Sequence, residues 1–209
     1  MTLILLISGS TRDGSLETAA LRTAARFAPP GIAASLYDGL RSLPAYVPGE
    51  RTPPGGAALL RHRVDAADAV LFSTPEYAGS LPGSLKNLLD HLVDGGQLVG
   101  KPVAWLSVAA PGQDESALAT LETVLRHGNA QVLPSACIRV PLRPEAVDAQ
   151  GLIDDPRLRV ALLDITQALA RSLAPPKPRQ APSWQAYSSL YPIVTRTDTP
   201  AFRTWRPDA

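Results

Sequence analysis

The sequence predicts an α/β fold in which a parallel sheet is covered by helices on both faces. Three observations carry that expectation. Short apolar runs such as Leu3 to Ile7 and Ala69 to Ser73 (AVLFS) lack the polar alternation of a half-exposed strand, so they suit strands buried on both faces. Each is followed by a loop and then by apolar residues at helical spacing, and this alternation recurs about five times. Polar loops follow the first, third and fourth apolar runs. In open parallel sheets ligands lie beyond the carboxyl ends of the strands where the winding reverses, so these three loops are expected to meet at one edge.

The elements follow in order. Leu3 to Ile7 is the first strand, and Leu16 to Phe27 is a helix with Leu16, Ala20, Leu21, Ala24 and Phe27 on one side, ended by Pro29 and Pro30. Ile32 to Tyr37 reads as the second strand. Leu40 to Pro54 carries Pro44, Pro48, Pro53 and Pro54 and reads as a loop, long enough to border a site or a subunit contact. Gly55 to Ala67 is a helix and Ala69 to Ser73 the third strand. Pro82 stands where the next helix begins, with Leu85, Leu88, Leu89 and Leu92 as its apolar face. Val103 to Val108 is a strand, Ala109 to Glu115 a loop and Ser116 to Arg126 a helix. Gln131 to Val140 reads as a last strand interrupted by Pro134, and Leu158 to Leu173 as a last helix.

From Ala174 to Ala209 the composition shifts to proline without helical or alternating period, yet Trp184, Tyr187, Tyr191, Phe202 and Trp205 fall there. Disordered tails are poor in aromatics. Two readings stand: an extended arm that buries its rings on its own domain or a partner, or a free terminus. The division expected is a domain over residues 1–173 and an arm over 174–209.

Composition narrows the function classes. A formal net charge of +1 over 209 residues implies no general attraction to nucleic acid or to anionic membrane. The one cysteine, Cys137, allows no internal disulfide and fits a reducing compartment. No apolar run is long enough for a membrane span, so a soluble cytoplasmic protein is expected. His62, His91 and His127 are scattered, giving a metal site little support.

The first loop carries the most chemistry. In LILLISGSTRDGS, Gly9 and Gly14 let the backbone bend and approach a ligand, Ser8, Ser10, Thr11 and Ser15 offer hydroxyls, Arg12 is the one cation, and the next helix begins with unpaired amides. Such a loop suits a phosphate. It is neither a P-loop nor the G-x-G-x-x-G dinucleotide turn, because the Lys and the glycine spacing are missing. The bland alternative is a tight turn whose serine merely caps a helix.

With these loops placed, Leu3 to Leu173 resembles the NADPH-dependent FMN reductase family, a flavodoxin-like group that includes quinone, azo-dye and chromate reductases. Three stretches carry the resemblance: GSTRDGS (Gly9 to Ser15), TPEYAGSLPGSLKNLLD (Thr74 to Asp90) and SVAAPG (Ser107 to Gly112). The resemblance implies a flavodoxin-like three-layer sandwich with a five-stranded parallel sheet, to which the composition adds the Pro-rich C-terminal extension. It implies FMN and NADPH, with Ser10, Thr11, Arg12, Ser15, Leu16 and Glu17 at the flavin phosphate, and Pro75, Glu76, Tyr77, Ala78, Ser107, Ala109 and Gly112 at the ring. Backbone amides of Glu76 and Tyr77 are the expected partners of the ring edge, and Tyr77 a wall against it. The resemblance also implies a homodimer or homotetramer, with the helix Pro82 to Val93 and the aromatic arm as interface candidates and Asp90 and His91 at the contact. Lys86 and Asn87 read as helix-surface and capping residues.

The chain departs from the family pattern twice. Glu17 stands where the family usually has Asn, and a carboxylate about 4 Å from a phosphate opposes binding by roughly 4 kcal/mol per unit charge at an intermediate dielectric. Alternatively Glu17 reaches back to an N-terminal amide as in a capping box. Gln113, Asp114 and Glu115 stand where the family commonly has glycines, and the two acids read as solvated helix-start residues or, alternatively, as charges that weaken the flavin site. The function implied is transfer of electrons from NADPH to a small acceptor. Its rivals are an electron carrier, disfavoured by the neutral charge, and a flavodoxin-like module that has lost FMN and serves binding or assembly.

Overall fold

The computed structural model describes residues 1–50 and 52–174. Six strands and five helices alternate along them: β1 (Thr2–Ser8), α1 (Leu16–Arg26), β2 (Ile32–Tyr37), α2 (Gly55–Ala66), β3 (Ala69–Ser73), α3 (Gly83–Asp94), β4 (Pro102–Ser107), α4 (Glu115–His127), β5 (Gln131–Val132), β6 (Ile138–Arg139) and α5 (Pro156–Ser172). The chain divides into Met1–Pro175 and Pro176–Ala209. The aromatic arm expected beyond Ala174 lies outside the described residues.

The sheet is parallel in the order β2-β1-β3-β4-β5, with β6 also paired to β4. This is the flavodoxin-like order, and its winding reverses between β1 and β3. The alternation of side chains explains the three layers. Ile4, Leu6 and Leu71 pack with Ala20, Leu21, Leu158 and Ile165 from α1 and α5 on one face. Leu5, Ile7, Val70 and Phe72 pack on the other face with Leu60, Leu88 and Leu121 from α2, α3 and α4. A continuous apolar run is therefore required in β1, because every residue from Ile4 to Ile7 faces a core.

The last strand differs from the expectation. Pro134 opens a 3-10 turn over Pro134–Ala136, and this splits Gln131 to Val140 into two strands of two residues. β5 pairs with the start of β4 and β6 with its end, so the fifth position of the expected five-stranded sheet is shared by two fragments. Proline has no N–H for the ladder, which is why the break falls there. β6 thereby carries Arg139 to the same end of the sheet as the polar loops.

Pro82 is the cap residue of α3, one position before the helix proper. The loop after β2 is pinned to α3: Asn87 Nδ2 donates to the Pro44 carbonyl at 2.9 Å, and its Oδ1 accepts the Tyr46 amide at 2.7 Å. Asn87 is thus a loop tether rather than a surface or capping residue. His91 is 2% exposed, bonded through Nε2 to the Pro44 carbonyl at 3.0 Å and edge-on to Tyr46. Its ring is committed to the loop after β2 of its own chain. Among the described residues no helix is long and apolar enough to cross a membrane.

Candidate active site

Three loops follow β1, β3 and β4 at the carboxyl end of the sheet, and specific bonds join them. The Gly9 amide donates to the Ser73 carbonyl at 2.8 Å, linking the first loop to the tip of β3. A Cβ on Gly9 would stand 2.4 Å from Thr74 Oγ1 and 2.8 Å from Leu85 Cδ2. Gly9 therefore serves the contact between two loops, where the sequence suggested approach to a ligand. Glu76 joins the second loop to the third through α4, its Oε2 accepting the Ala117 amide at 3.0 Å.

In the first loop Ser10 and Ser15 are buried, Thr11 and Leu16 half-buried and Arg12 exposed. Ser15 caps α1 through the Thr18 amide at 3.2 Å, and Thr18 Oγ1 in turn bonds Ser8 Oγ at 2.8 Å. Among the described residues the amides of Thr11 and of Asp13 to Leu16 have no protein acceptor. Arg41, which the sequence reading passed over, binds the Thr11 carbonyl and Asp13 Oδ1 (3.0 Å). Between the loop and the end of β2 is a hollow of about 290 Å³ lined by Ser10, Thr11, Arg12, Arg41, Tyr37 and Asp38 among others.

Glu17 stands two residues into α1 and is half-buried. Because Ser15 and not Gly14 is the cap, the capping-box geometry does not arise; the Glu17 carboxyl meets its own amide and the Ser15 side chain. Burial pushes its pKa above the ordinary glutamate value, those two hydrogen bonds and Arg12 opposing the rise and Asp114 adding to it.

The second loop turns back on itself. Tyr77 and Ser80 exchange backbone bonds of 3.0 and 3.1 Å across Ala78 (φ 50°) and Gly79 (φ 72°). The Tyr77 amide is thereby spent inside the turn, which corrects the expectation that it faces a ligand; the amides of Glu76 and Ala78 have no acceptor among the described residues. Pro75 is half-buried, and the Tyr77 ring is 48% exposed at the tip. The Ser73 hydroxyl, buried at the end of β3, has no partner among the described residues.

The third loop is organised by acids that the sequence reading placed in solvent. Asp114 is fully buried and accepts the Ser107 hydroxyl at 2.6 Å and an ion pair from Arg139. The pair is the reason a carboxylate is tolerated there. Glu115, the exposed acid, takes the Gly112 amide at 2.7 Å and Arg139 Nη2 at 3.3 Å, and the Gly112 bond foremost lowers its pKa. The Gly112 amide is therefore not open to a ligand, although the Ala109 amide has no acceptor among the described residues. Arg139 was missed because it lies 24 residues from Glu115, and only the break at Pro134 returns the chain to β4.

The comparisons with known proteins converge. A family model for NADPH-dependent FMN reductases matches residues 2–142. An NAD(P)H-dependent FMN reductase of Pseudomonas aeruginosa is 35% identical over 173 residues, covering 79% of this chain and 92% of the relative. A quinone reductase of Escherichia coli is 33% identical over 105 residues, covering 48% of this chain and 56% of the relative. Among solved structures, a flavoenzyme NAD(P)H:(acceptor) oxidoreductase from Paracoccus denitrificans superposes with a TM-score of 0.69 at 25% identity, covering 83% of this chain and 97% of that one. The strand order, the unspent amides around the first loop and these matches agree, and the chain belongs to the NADPH-dependent FMN reductase family, an oxidoreductase family that implies FMN and NAD(P)H.

Proposed function

We propose that this chain is an FMN-dependent oxidoreductase that passes electrons from NADPH to a small acceptor, a quinone, free flavin, azo dye or metal oxyanion. We place it in the cytoplasm as a homodimer or homotetramer. The observation that supports the reading is the joining of three loops at the switch point, through Gly9 to Ser73 and Glu76 to Ala117, with donors left over at both ends.

The donor set fits a flavin carrying a phosphate. The amides of Thr11 and Asp13 to Leu16, at the positive end of α1, would hold the phosphate, with Ser10, Ser15 and Arg12 beside it. The amides of Glu76, Ala78 and Ala109 would meet the ring edge, with Pro75 nearby and Tyr77 as a wall. When bound, FMN would supply the redox chemistry between NADPH and the acceptor. The residues of the chain orient the ring, hold its polar edge and shield one face, so no nucleophile or acid-base pair is required of them.

A specific observation favours a second reading. Glu17 brings a carboxyl to the phosphate end of the loop, as a module that has abandoned the cofactor could afford to do. Incubation with FMN, followed by gel filtration and an anaerobic NADPH titration, separates the two. A yellow protein that bleaches with NADPH and recovers colour with air or a quinone supports the reductase. A colourless protein that leaves added FMN free supports the module.

A further inference from the structure

The third loop is held from behind by one side chain. Arg139, at the end of β6, donates from Nη1 to the carbonyls of Ala109 at 3.4 Å and Ala110 at 3.3 Å and to the buried Asp114, and from Nη2 to Glu115 at 3.3 Å. The Ala110 carbonyl also accepts the Gln113 amide at 3.1 Å. In the sheet β6 lies on the far side of β4 from β3. All peptide bonds here are trans, and in a trans peptide the N–H points opposite to the C=O it is bonded with. Since the Ala109 carbonyl faces the Arg139 guanidinium, the Ala110 N–H of the same peptide points away from that guanidinium. No acceptor takes that N–H among the described residues, whereas the Gly112 amide is occupied by Glu115.

We infer that the Ala110 N–H is a donor this loop offers to the edge of the flavin ring, and that Arg139 is the positioning residue that keeps it aimed there. The inference rests on the proposed reading of the three loops as a flavin cradle. Reduction raises the electron density at the polar edge of the ring, so a fixed donor there favours the reduced over the oxidised cofactor. With Arg139 removed, the peptide between Ala109 and Ala110 is free to rotate and that preference falls.

The test uses Arg139→Met, the double variant Asp114→Asn with Arg139→Met, which leaves no buried lone carboxylate, and Arg139→Lys, which keeps Asp114 paired but cannot span both carbonyls. Circular dichroism and thermal melting identify the folded variants. Dissociation constants for oxidised FMN come from fluorescence titration and the midpoint potential of the loaded protein from dye equilibration. The folded variants are expected to bind oxidised FMN within about threefold of wild type while the potential drops by about 30 mV, a tenfold loss of preference for the reduced ring in a two-electron couple. An unchanged potential in any folded variant that binds FMN overturns the positioning role and leaves the cradle standing. A wild-type protein that binds no flavin overturns both.

Discussion

Glu76 Oε2 accepts the Ala117 amide at 3.0 Å, so a carboxylate in the loop after β3 caps a helix 41 residues further on. Asp114, the cap residue by position, makes no capping bond because its carboxylate is committed to Ser107 and Arg139. A negative group from outside takes over at the positive end of α4. Glu76→Ala is expected to cost about 1–2 kcal/mol in urea unfolding and to weaken FMN several-fold as the two loops part. Unchanged stability and affinity would show the tether to be idle.

Glu17 makes binding and stability respond to pH in a stated direction. Its proton is held more tightly in the fold than in the unfolded chain, so the fold loses stability as pH rises through and above the ordinary glutamate range. Glu17→Gln should therefore raise the melting temperature of the flavin-free protein at pH 8 and leave it unchanged at pH 4. FMN should bind roughly tenfold more tightly to the variant at pH 8, where the carboxylate otherwise opposes the phosphate, with a smaller gain at pH 5.5. Riboflavin, which has no phosphate, should show little difference. Equal FMN affinity of both proteins at pH 8 would refute the electrostatic account.

Asn87 is the bolt between α3 and the proline-rich loop after β2. Asn87→Ala leaves the Tyr46 amide without a partner and the Pro44 carbonyl with His91 alone, at a cost of about 1–3 kcal/mol. Faster proteolysis within residues 43–54 is expected alongside the lower stability. Resistance equal to wild type would mean that His91 and Tyr46 hold the loop alone.

Asp155 governs the acid end of the stability curve. Its carboxylate caps α5 through the amides of Arg157 (2.7 Å) and Leu158 (3.4 Å), and the Arg157 side chain first, with these amides, lowers its pKa to about 2. The depressed value means that its contribution is complete above the unfolded value near 3.8 and fades as pH falls toward 2. Asp155→Ala should destabilise by about 1 kcal/mol at pH 7 and by less at pH 2.5, read from thermal or urea melts. A constant difference at both pH values would count against the ionised cap.

How much was legible in the residues depends on how local the cause was. Each of the first four strands and all five helices lie within a few residues of where periodicity and proline placed them, because β-alternation, helical spacing and caps act over a turn or two. The loop after β1 was equally readable as a polar strand-to-helix turn capped by a serine. The failures were all non-local. Gly9 is small for the sake of Thr74 and Leu85, Asn87 points at a loop 43 residues earlier, and Asp114 is buried because Arg139 returns to meet it. Gly112 and Tyr77 were misjudged in the same way, since a motif shows that an amide exists but not what has already bonded it.

By itself, then, the sequence determined the layered α/β architecture, the three polar loops and the family, since apolar period, turn residues and contiguous motifs are written along the chain. Only the tertiary structure decided which donors remain open and how the acids are neutralised. Hydrogen bonds and ion pairs compete for the same few groups, and the winner is settled by which segments the sheet brings side by side.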